Sequence, residues 1–338
     1  MSLRRHPILN TRLPSPAAVV NRTPRPALAS ASPRPALRYD GLVQTDYVCN
    51  VCGAANRSPQ APTFDREHPG CTACGSSVRL RGLLHALSCE IFGAPLAAPR
   101  FPRVKSLRGL GLSDAPPYAD ILATRFDYRN TYFHREPRMD ITRVEESEFG
   151  RYDFLLASEV FEHVPPPPAR AFANAFHLLR EGGVLVFTVP YSLDPATREH
   201  FPDLEAHGLA QVDGRTVLVN RTAHGEIQVF EDLAFHVGFG GPSLELREFS
   251  ESALRAELAA AGFAEVRIYG ADYAPFGIVH GETWSLPIAA RKGRYGLSRE
   301  AAADIVEEWR ALREKFDADM LRLGRSWWFR AGRKMGWL

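Results

Sequence analysis

The 338-residue chain lacks any apolar run near the ~18 residues that a membrane-spanning helix needs. It also lacks net charge: 41 basic side chains stand against 39 acidic ones, leaving +2. Cysteine is scarce, five in all, which is too few for a secreted disulfide scaffold of this length. Acidic residues are missing altogether from 1–39, where seven arginines and seven prolines occur with no sustained helical or strand period. Such a segment buries too little apolar surface to offset its ordering entropy, so 1–40 is expected to be a disordered basic tail. Its proline density opposes the amphipathic helix of a transit peptide, and no apolar h-region follows the arginines to make a secretory signal. Without those seven arginines the remaining 299 residues carry −5. A mildly acidic body is not the electrostatic footprint of a nucleic-acid-binding domain. The rest is ordinary: 45% apolar and 24% charged residues suit a globular chain with a sizeable core.

Four of the five cysteines fall in two pairs, Cys49-x-x-Cys52 and Cys71-x-x-Cys74, with 18 residues between them. That spacing reads as a four-cysteine zinc site in a reducing, cytoplasmic compartment, with redox-active cysteines as the alternative. Each pair is followed by glycine (Gly53, Gly75), which permits the tight turn that aims backbone amides at thiolate sulfur. Four thiolates close the shell of a tetrahedral ion and leave no open position for chemistry, so a structural staple is the expected role. Cys89 falls on an apolar helical pattern and reads as a small buried hydrophobe.

From about residue 103, short apolar runs alternate with amphipathic stretches, the layout of an α/β doubly wound sheet. Phe154–Ala157 and Val184–Val189 read as strands, with a helix near 168–180 between them, ended by Gly182-Gly183. Ser250 and Gly262 have the chemistry to cap a helix at its two ends, and a strand follows near 264–269. Residues 193–248 form an insertion rich in glycine, histidine and charge, with a hairpin turn at Asp213-Gly214. A last helix over 298–323 places Ile305, Trp309, Leu312, Phe316, Met320 and Leu323 on one stripe. The expected organisation is a 1–40 tail, a 41–90 cysteine module, a 91–290 domain with the insertion, and a 291–338 helix and tail.

The run Tyr152-Asp153-Phe154-Leu155-Leu156-Ala157-Ser158-Glu159-Val160-Phe161-Glu162-His163, followed by Leu179-Arg180-Glu181-Gly182-Gly183-Val184-Leu185-Val186-Phe187-Thr188, resembles the fourth and fifth strands of the class I S-adenosylmethionine-dependent methyltransferases. The resemblance extends over roughly 100–290 and implies a Rossmann-like fold, S-adenosylmethionine as cofactor and a methyl-transfer activity. It implies cofactor binding by Gly109 and Gly111 in a turn after the first strand, by Asp140 near the adenine, by Glu136 at the ribose and by Ser158 at the end of strand four. Two features depart from the pattern. Leu107 stands where an acid usually precedes the glycines, and the helix after strand two is missing.

Glu159, Glu162 and His163 are the catalytic candidates, because open α/β folds bind ligands at the carboxyl edge of the sheet. If a helical turn starts there, the three converge, and His163 would be a general base. Two carboxylates and an imidazole also suit Mg²⁺ or Mn²⁺, as in two methyltransferase groups this run resembles, those of the ubiquinone pathway and of small-RNA 3′ ends. In other members the Glu-His pair shapes the cofactor pocket.

The expected function is therefore a methyltransferase with a small-molecule or glycan-type acceptor. The alternatives are a non-catalytic binding or scaffold protein with a degenerate cofactor motif, or an RNA methyltransferase using the cysteine module as a grip. The last has only Arg79 and Arg81 beside the second knuckle in its favour. The acid-free, tryptophan-rich stretch 325–338 suits either peripheral contact with an anionic membrane or packing on the protein body.

Overall fold

The computed structural model describes residues 46–57, 66, 67, 69–238, 241–325 and 335. The expectations for the 1–40 tail and for the tryptophans after Arg325 lie outside the described residues.

Strands β1 (Asp46–Val48) and β2 (Ala55–Arg57) form an antiparallel hairpin that carries the first cysteine pair. Helix α1 (Val78–Phe92) follows the second pair; Ser77 Oγ accepts from Leu80 N and Gly93 closes the helix at φ +66°. Then come β3 (Val104–Leu112), α2 (Pro116–Arg125), β4 (Phe126–Thr131), β5 (Tyr152–Ser158), α3 (Ala169–Leu178) and β6 (Leu179–Thr188). Short strands β7 (Tyr191–Ser192) and β8 (Arg198–Glu199) precede the meander β9 (Ala206–Val212), β10 (Arg215–Arg221) and β11 (Ile227–Phe230). The chain continues through β12 (Phe235–Gly238), β13 (Gly241–Leu244), β14 (Arg247–Ser250), α4 (Glu251–Ala261), β15 (Glu265–Ile268), β16 (Ile288–Arg291) and α5 (Arg299–Arg325).

The central sheet has the order β15-β16-β6-β5-β3-β4. Strands β4, β3, β5 and β6 are parallel; β16 runs antiparallel to both neighbours. A strand buried on both faces must be apolar at every position, and Phe154-Leu155-Leu156-Ala157 is fully buried throughout. Successive side chains enter opposite cores. Phe154, Leu156, Val184, Val186 and Ala289 join α1 and α2 on one face, while Leu155, Ala157, Leu185, Phe187 and Ala290 join α3 and α4 on the other. Helices thus cover both faces, as a doubly wound sheet requires.

Most sequence-derived elements are present. Ser250 Oγ accepts from Ala253 N, and Gly262 ends α4 at φ +106°. Between β4 and β5 the chain forms no α-helix, only a 3-10 turn at Glu146–Glu148, in line with the missing helix. One boundary differs. The helix expected to end at Gly182-Gly183 ends at Leu178, and Leu179–Gly183 already belongs to β6. Gly182 therefore serves an irregular strand entry: at φ +80°, its Cβ would stand 2.9 Å from the Arg294 carbonyl.

Residues 201–234 are a compact unit in their own right. The β11-β10-β9 meander turns at Asp213 (φ +49°) and Gly214 (φ +75°), the left-handed pair of a type I′ hairpin. Asn220 pins this unit: its amide donates to Asp203 O and Gln228 Oε1, both at 2.8 Å. In the other unit, α5 begins against the domain, with Ala301 buried and Glu308 accepting from Arg103 N at 3.1 Å. Further along, Trp309, Leu312 and Phe316 are exposed, so the apolar stripe read from the sequence faces outward.

Candidate functional site

The four cysteines converge, with all ligand atoms within 4.8 Å of one another. Cys49 Sγ lies 3.8 Å from Cys74 Sγ, and Cys52 Sγ 3.6 Å from Cys71 Sγ. A tetrahedron with metal–sulfur bonds of ~2.3 Å has edges of roughly 3.8 Å, so the cluster fits a thiolate-bound ion such as zinc. Gly53 N and Gly75 N donate to Cys49 O and Cys71 O at the two knuckles, with both glycines at positive φ. Burial opposes charge on Cys71, but backbone amides of Cys74 and Ala73 pointed at its sulfur bring it down to about 6. Cys49, Val51 and Cys71 share one core with Leu83, Phe101 and Phe154, so the module is continuous with the sheet's packing.

The chain leaves β3 for α2 and β4 on one side, and β5 for α3 and β6 on the other. The direction reverses between β3 and β5, and ligands of open α/β sheets bind outside the carboxyl ends at such a point. Gly109 and Gly111 do not form a turn there. Both lie within β3, paired to β4 and β5. A Cβ on Gly109 would stand 2.2 Å from the Phe154 ring, and one on Gly111 would stand 2.0 Å from Tyr128 Oη and 2.4 Å from Asp114 Oδ2. The glycines thus lie within the strand rather than in the expected turn, and there they make room for the protein's own side chains. The turn itself is Ser113-Asp114, with Ser113 at φ +59° and its N–H on Thr131 O at 2.7 Å.

Asp114, fully buried, was missed by the sequence reading. It accepts from Tyr118 Oη at 2.7 Å and from Tyr128 Oη. Burial pushes its carboxyl up to about 7, against the lowering effect of the two hydroxyls. Below pH ~4 the folded and unfolded states are both protonated. As pH rises from ~4 to 7 the unfolded chain ionises first, so stability is lost across that window. Asp114→Asn should flatten this part of the stability curve. Urea melts at pH 5 and pH 8 would show a smaller difference for the variant than for the parent, by a few kcal/mol; an equal difference would refute the assignment.

At the end of β5, Glu159 takes φ +56°, a left-handed conformation that costs a non-glycine residue roughly 1–2 kcal/mol. Its carboxylate is clamped by Arg66, with Nη2 to Oε1 at 2.7 Å and Nη1 to Oε2 at 3.2 Å. Although burial opposes its charge, Arg66 and Arg79 hold its carboxyl at about 2. Glu159 is an ionised, paired group rather than a base. Arg79, on the first turn of α1, donates to Ser158 Oγ and makes three contacts of 2.7–2.9 Å with Glu67. Neither Arg66 nor Arg79 was placed at this edge by the sequence, since both belong to the cysteine module. Arg81 is buried, donating to Ser76 O at 2.6 Å and Gly277 O at 2.9 Å.

Glu159 does not share a helical face with its partners, because only Phe161–His163 form a short 3-10 turn. Among the described residues the four cysteines are the only converging group of metal-ligand side chains; Glu159, Glu162 and His163 are not one. Glu159, the first member of the expected Mg²⁺ or Mn²⁺ triad, faces a guanidinium. Glu162 is fully buried, and neither carboxyl oxygen has a hydrogen-bond partner among the described residues. Burial, then the charge of Glu159, hold its pKa well above the usual carboxyl range. His163 Nδ1 lies 2.9 Å from Leu244 O, which only accepts, so Nδ1 carries a proton, and Nε2 lies 3.5 Å from Glu162 Oε1. The buried Tyr191 hydroxyl is likewise unpartnered among the described residues.

The remaining candidates have local roles. Asp140 Oδ1 accepts from Thr142 N and Oγ1 at 2.9 and 2.7 Å. Glu136 is exposed and accepts from Arg138 N in its own loop.

Residues 109–268 match a family profile described as a methyltransferase domain. No curated protein matched the sequence. Among solved structures, a SAM-bound amino pentose methyltransferase from Micromonospora echinaspora is 18% identical, covers 64% of this chain and 92% of its own, and has a TM-score of 0.36. The sugar N-methyltransferase from Streptoalloteichus sp. is 14% identical, with coverages of 70% and 90% and a TM-score of 0.36. The 1,6-didemethyltoxoflavin-N1-methyltransferase of Burkholderia thailandensis is 16% identical, with coverages of 71% and 95% and a TM-score of 0.33. Scores this low say nothing about this chain's acceptor. The span that matches the methyltransferase-domain profile, residues 109–268, runs from within β3 to the end of β15 of the α/β sheet.

Proposed function

We propose that the protein is an S-adenosylmethionine-dependent methyltransferase acting on a small-molecule or glycan-type acceptor, with zinc held structurally by Cys49, Cys52, Cys71 and Cys74. The observation that carries this reading is the buried, unpartnered carboxyl of Glu162 beside His163, at the carboxyl edge of a methyltransferase domain. A buried polar group with no partner is costly, and a ligand carrying hydrogen-bond donors would satisfy it. Ser113, Asp140 and Ser158 would line the cofactor along the same edge. Bound there, S-adenosylmethionine supplies an electrophilic methyl group, and methyl transfer is then chiefly alignment.

His163 is suited to accept a proton from an acceptor hydroxyl or amine at Nε2, its Nδ1 being committed to Leu244 O. Calorimetric titration with S-adenosylmethionine tests the reading, and no heat at millimolar cofactor with folded protein would sink it. His163→Ala should lower turnover by roughly 10²-fold while leaving cofactor affinity near that of the parent. Equal turnover would remove His163 from the chemistry.

A second reading, a binding or scaffold protein that keeps the fold without catalysis, draws on the filled space over Gly109 and Gly111. It predicts the null titration. An RNA acceptor is disfavoured by the buried Arg81 and by the clamped Arg79. No described helix is long and apolar enough to cross a membrane. A cytoplasmic location and a peripheral membrane contact of the 325–338 stretch remain part of the proposal, on the cysteine usage and the basic–aromatic composition.

A further inference from the structure

The four-cysteine cluster and the end of β5 are joined by one network of charged side chains. Arg66, between the two cysteine pairs, donates through Nε to Ser285 O at 2.8 Å and through both terminal nitrogens to Glu159. Its own carbonyl accepts from Arg79 N at 3.2 Å, and Glu67 next to it grips Arg79. Arg79 in turn reaches Ser158 Oγ, which lies 3.2 Å from Thr188 Oγ1 at the end of β6. Ser158, the last residue of β5, and Glu159 just after it are therefore held by two arginines from a segment that precedes β3 in sequence. Glu159 keeps a left-handed backbone conformation at the place where its side chain is clamped, and strained residues held by their surroundings cluster at functional sites. A staple remote from the chemistry would need none of these contacts.

We propose that the cysteine module is one wall of the reaction site, with Arg66 and Arg79 as positioning residues that fix the Ser158–Glu159 corner and the Phe161–His163 turn beyond it. The inference rests on the reading of the carboxyl edge as the cofactor and acceptor site. It assigns the module a role in methyl transfer: loss of the bound ion loosens Arg66 and Arg79, and the corner then relaxes. Arg66 acts through Glu159, since its guanidinium is already engaged by that carboxylate, by Glu67 and by Ser285 O.

The test uses the full metal-loaded chain and three variants. Arg66→Met removes the clamp, Arg66→Lys keeps the charge without the two-point contact, and Arg57→Met changes an exposed arginine on the same module that pairs with Asp46. Hydrogen–deuterium exchange reads the amides of Glu159, His163 and Val164, which are bonded to Thr188 O, Val160 O and Phe161 O. In Arg66→Met these should exchange roughly tenfold faster or more, with metal content kept and α4 unchanged; Arg66→Lys should fall between, and Arg57→Met should match the parent. S-adenosylmethionine should bind Arg66→Met roughly tenfold more weakly than the parent. Unchanged exchange over 158–164 with metal retained would overturn the inference, as would a rise spread evenly over the whole sheet. If Arg66→Met does not fold, Glu67→Gln, which weakens the contacts of Glu67 to both Arg66 and Arg79, reads the same amides with a smaller effect expected and the same refuting outcome. A parent that binds no cofactor would sink the proposed function, and the exchange result would still decide this inference.

Discussion

Replacing Cys71 by serine is expected to lower the unfolding free energy by at least ~3 kcal/mol and to melt the sheet, not the hairpin alone. Ion binding by structural four-ligand sites is folding energy, on the order of 10 kcal/mol or more in isolated zinc-binding peptides, so losing one thiolate forfeits a good part of it. Cys71, Cys49 and Val51 are packed with Leu83, Phe101, Phe126 and Phe154. Helix α1, which starts four residues after Cys74, buries Leu83, Leu84 and Leu87 in that same core. Unfolding of the module would therefore expose the sheet's face. Circular dichroism at a helix wavelength should show one transition, moved to lower temperature, in step with lost metal by elemental analysis. Metal loss with an unmoved transition would mean that the cluster does not stabilise the domain.

The second large effect is expected at the glycines of β3. Gly109→Ala would drive a methyl group into the ring of Phe154, which is fully buried and packs edge-on against Phe126. Overpacking of this kind costs typically ~1–3 kcal/mol, and a backbone on both sides of the strand leaves little room to yield. Gly111→Val should cost roughly as much through Tyr128 Oη, Asp114 and Asn130. Both losses should appear in denaturant melts without any ligand present. Tyr128→Phe removes the atom that a Cβ at 111 would meet first, so Gly111→Ala should be less destabilising in that background. An unaltered melting midpoint with weakened cofactor binding would return the pair to the role of a ligand cradle.

How much was legible in the sequence depends on how local each feature is. The strands Phe154–Ala157 and Val184–Thr188 are legible because a strand buried on both faces must be apolar throughout. The caps of α4 are legible because Ser250 and Gly262 act within three or four residues of themselves. The cysteine cluster is legible because two closely spaced pairs, each turning at a glycine, leave few other uses for four thiols. The surroundings of the Gly-x-Gly were not legible for the opposite reason. The same residues serve a ligand or a bulky neighbour equally well, and the neighbours, Phe154 and Tyr128, are 45 and 17 positions away.

The sequence by itself determined the α/β class, the sheet's apolar strands, the four thiols and the presence of Glu159, Glu162 and His163 at a strand end. It could do so because periodicity, capping and ligand spacing act over a few residues. Only the tertiary structure decided what those groups face. Glu159 is ionised because Arg66, 93 residues earlier, is folded onto it, and Ser158 is held by Arg79 from 79 residues earlier. Glu162, three residues from Glu159, has its pKa raised by burial instead. Charge state and strain at this edge are set by which distant side chains the fold brings within ~3 Å, and no local pattern encodes that distance.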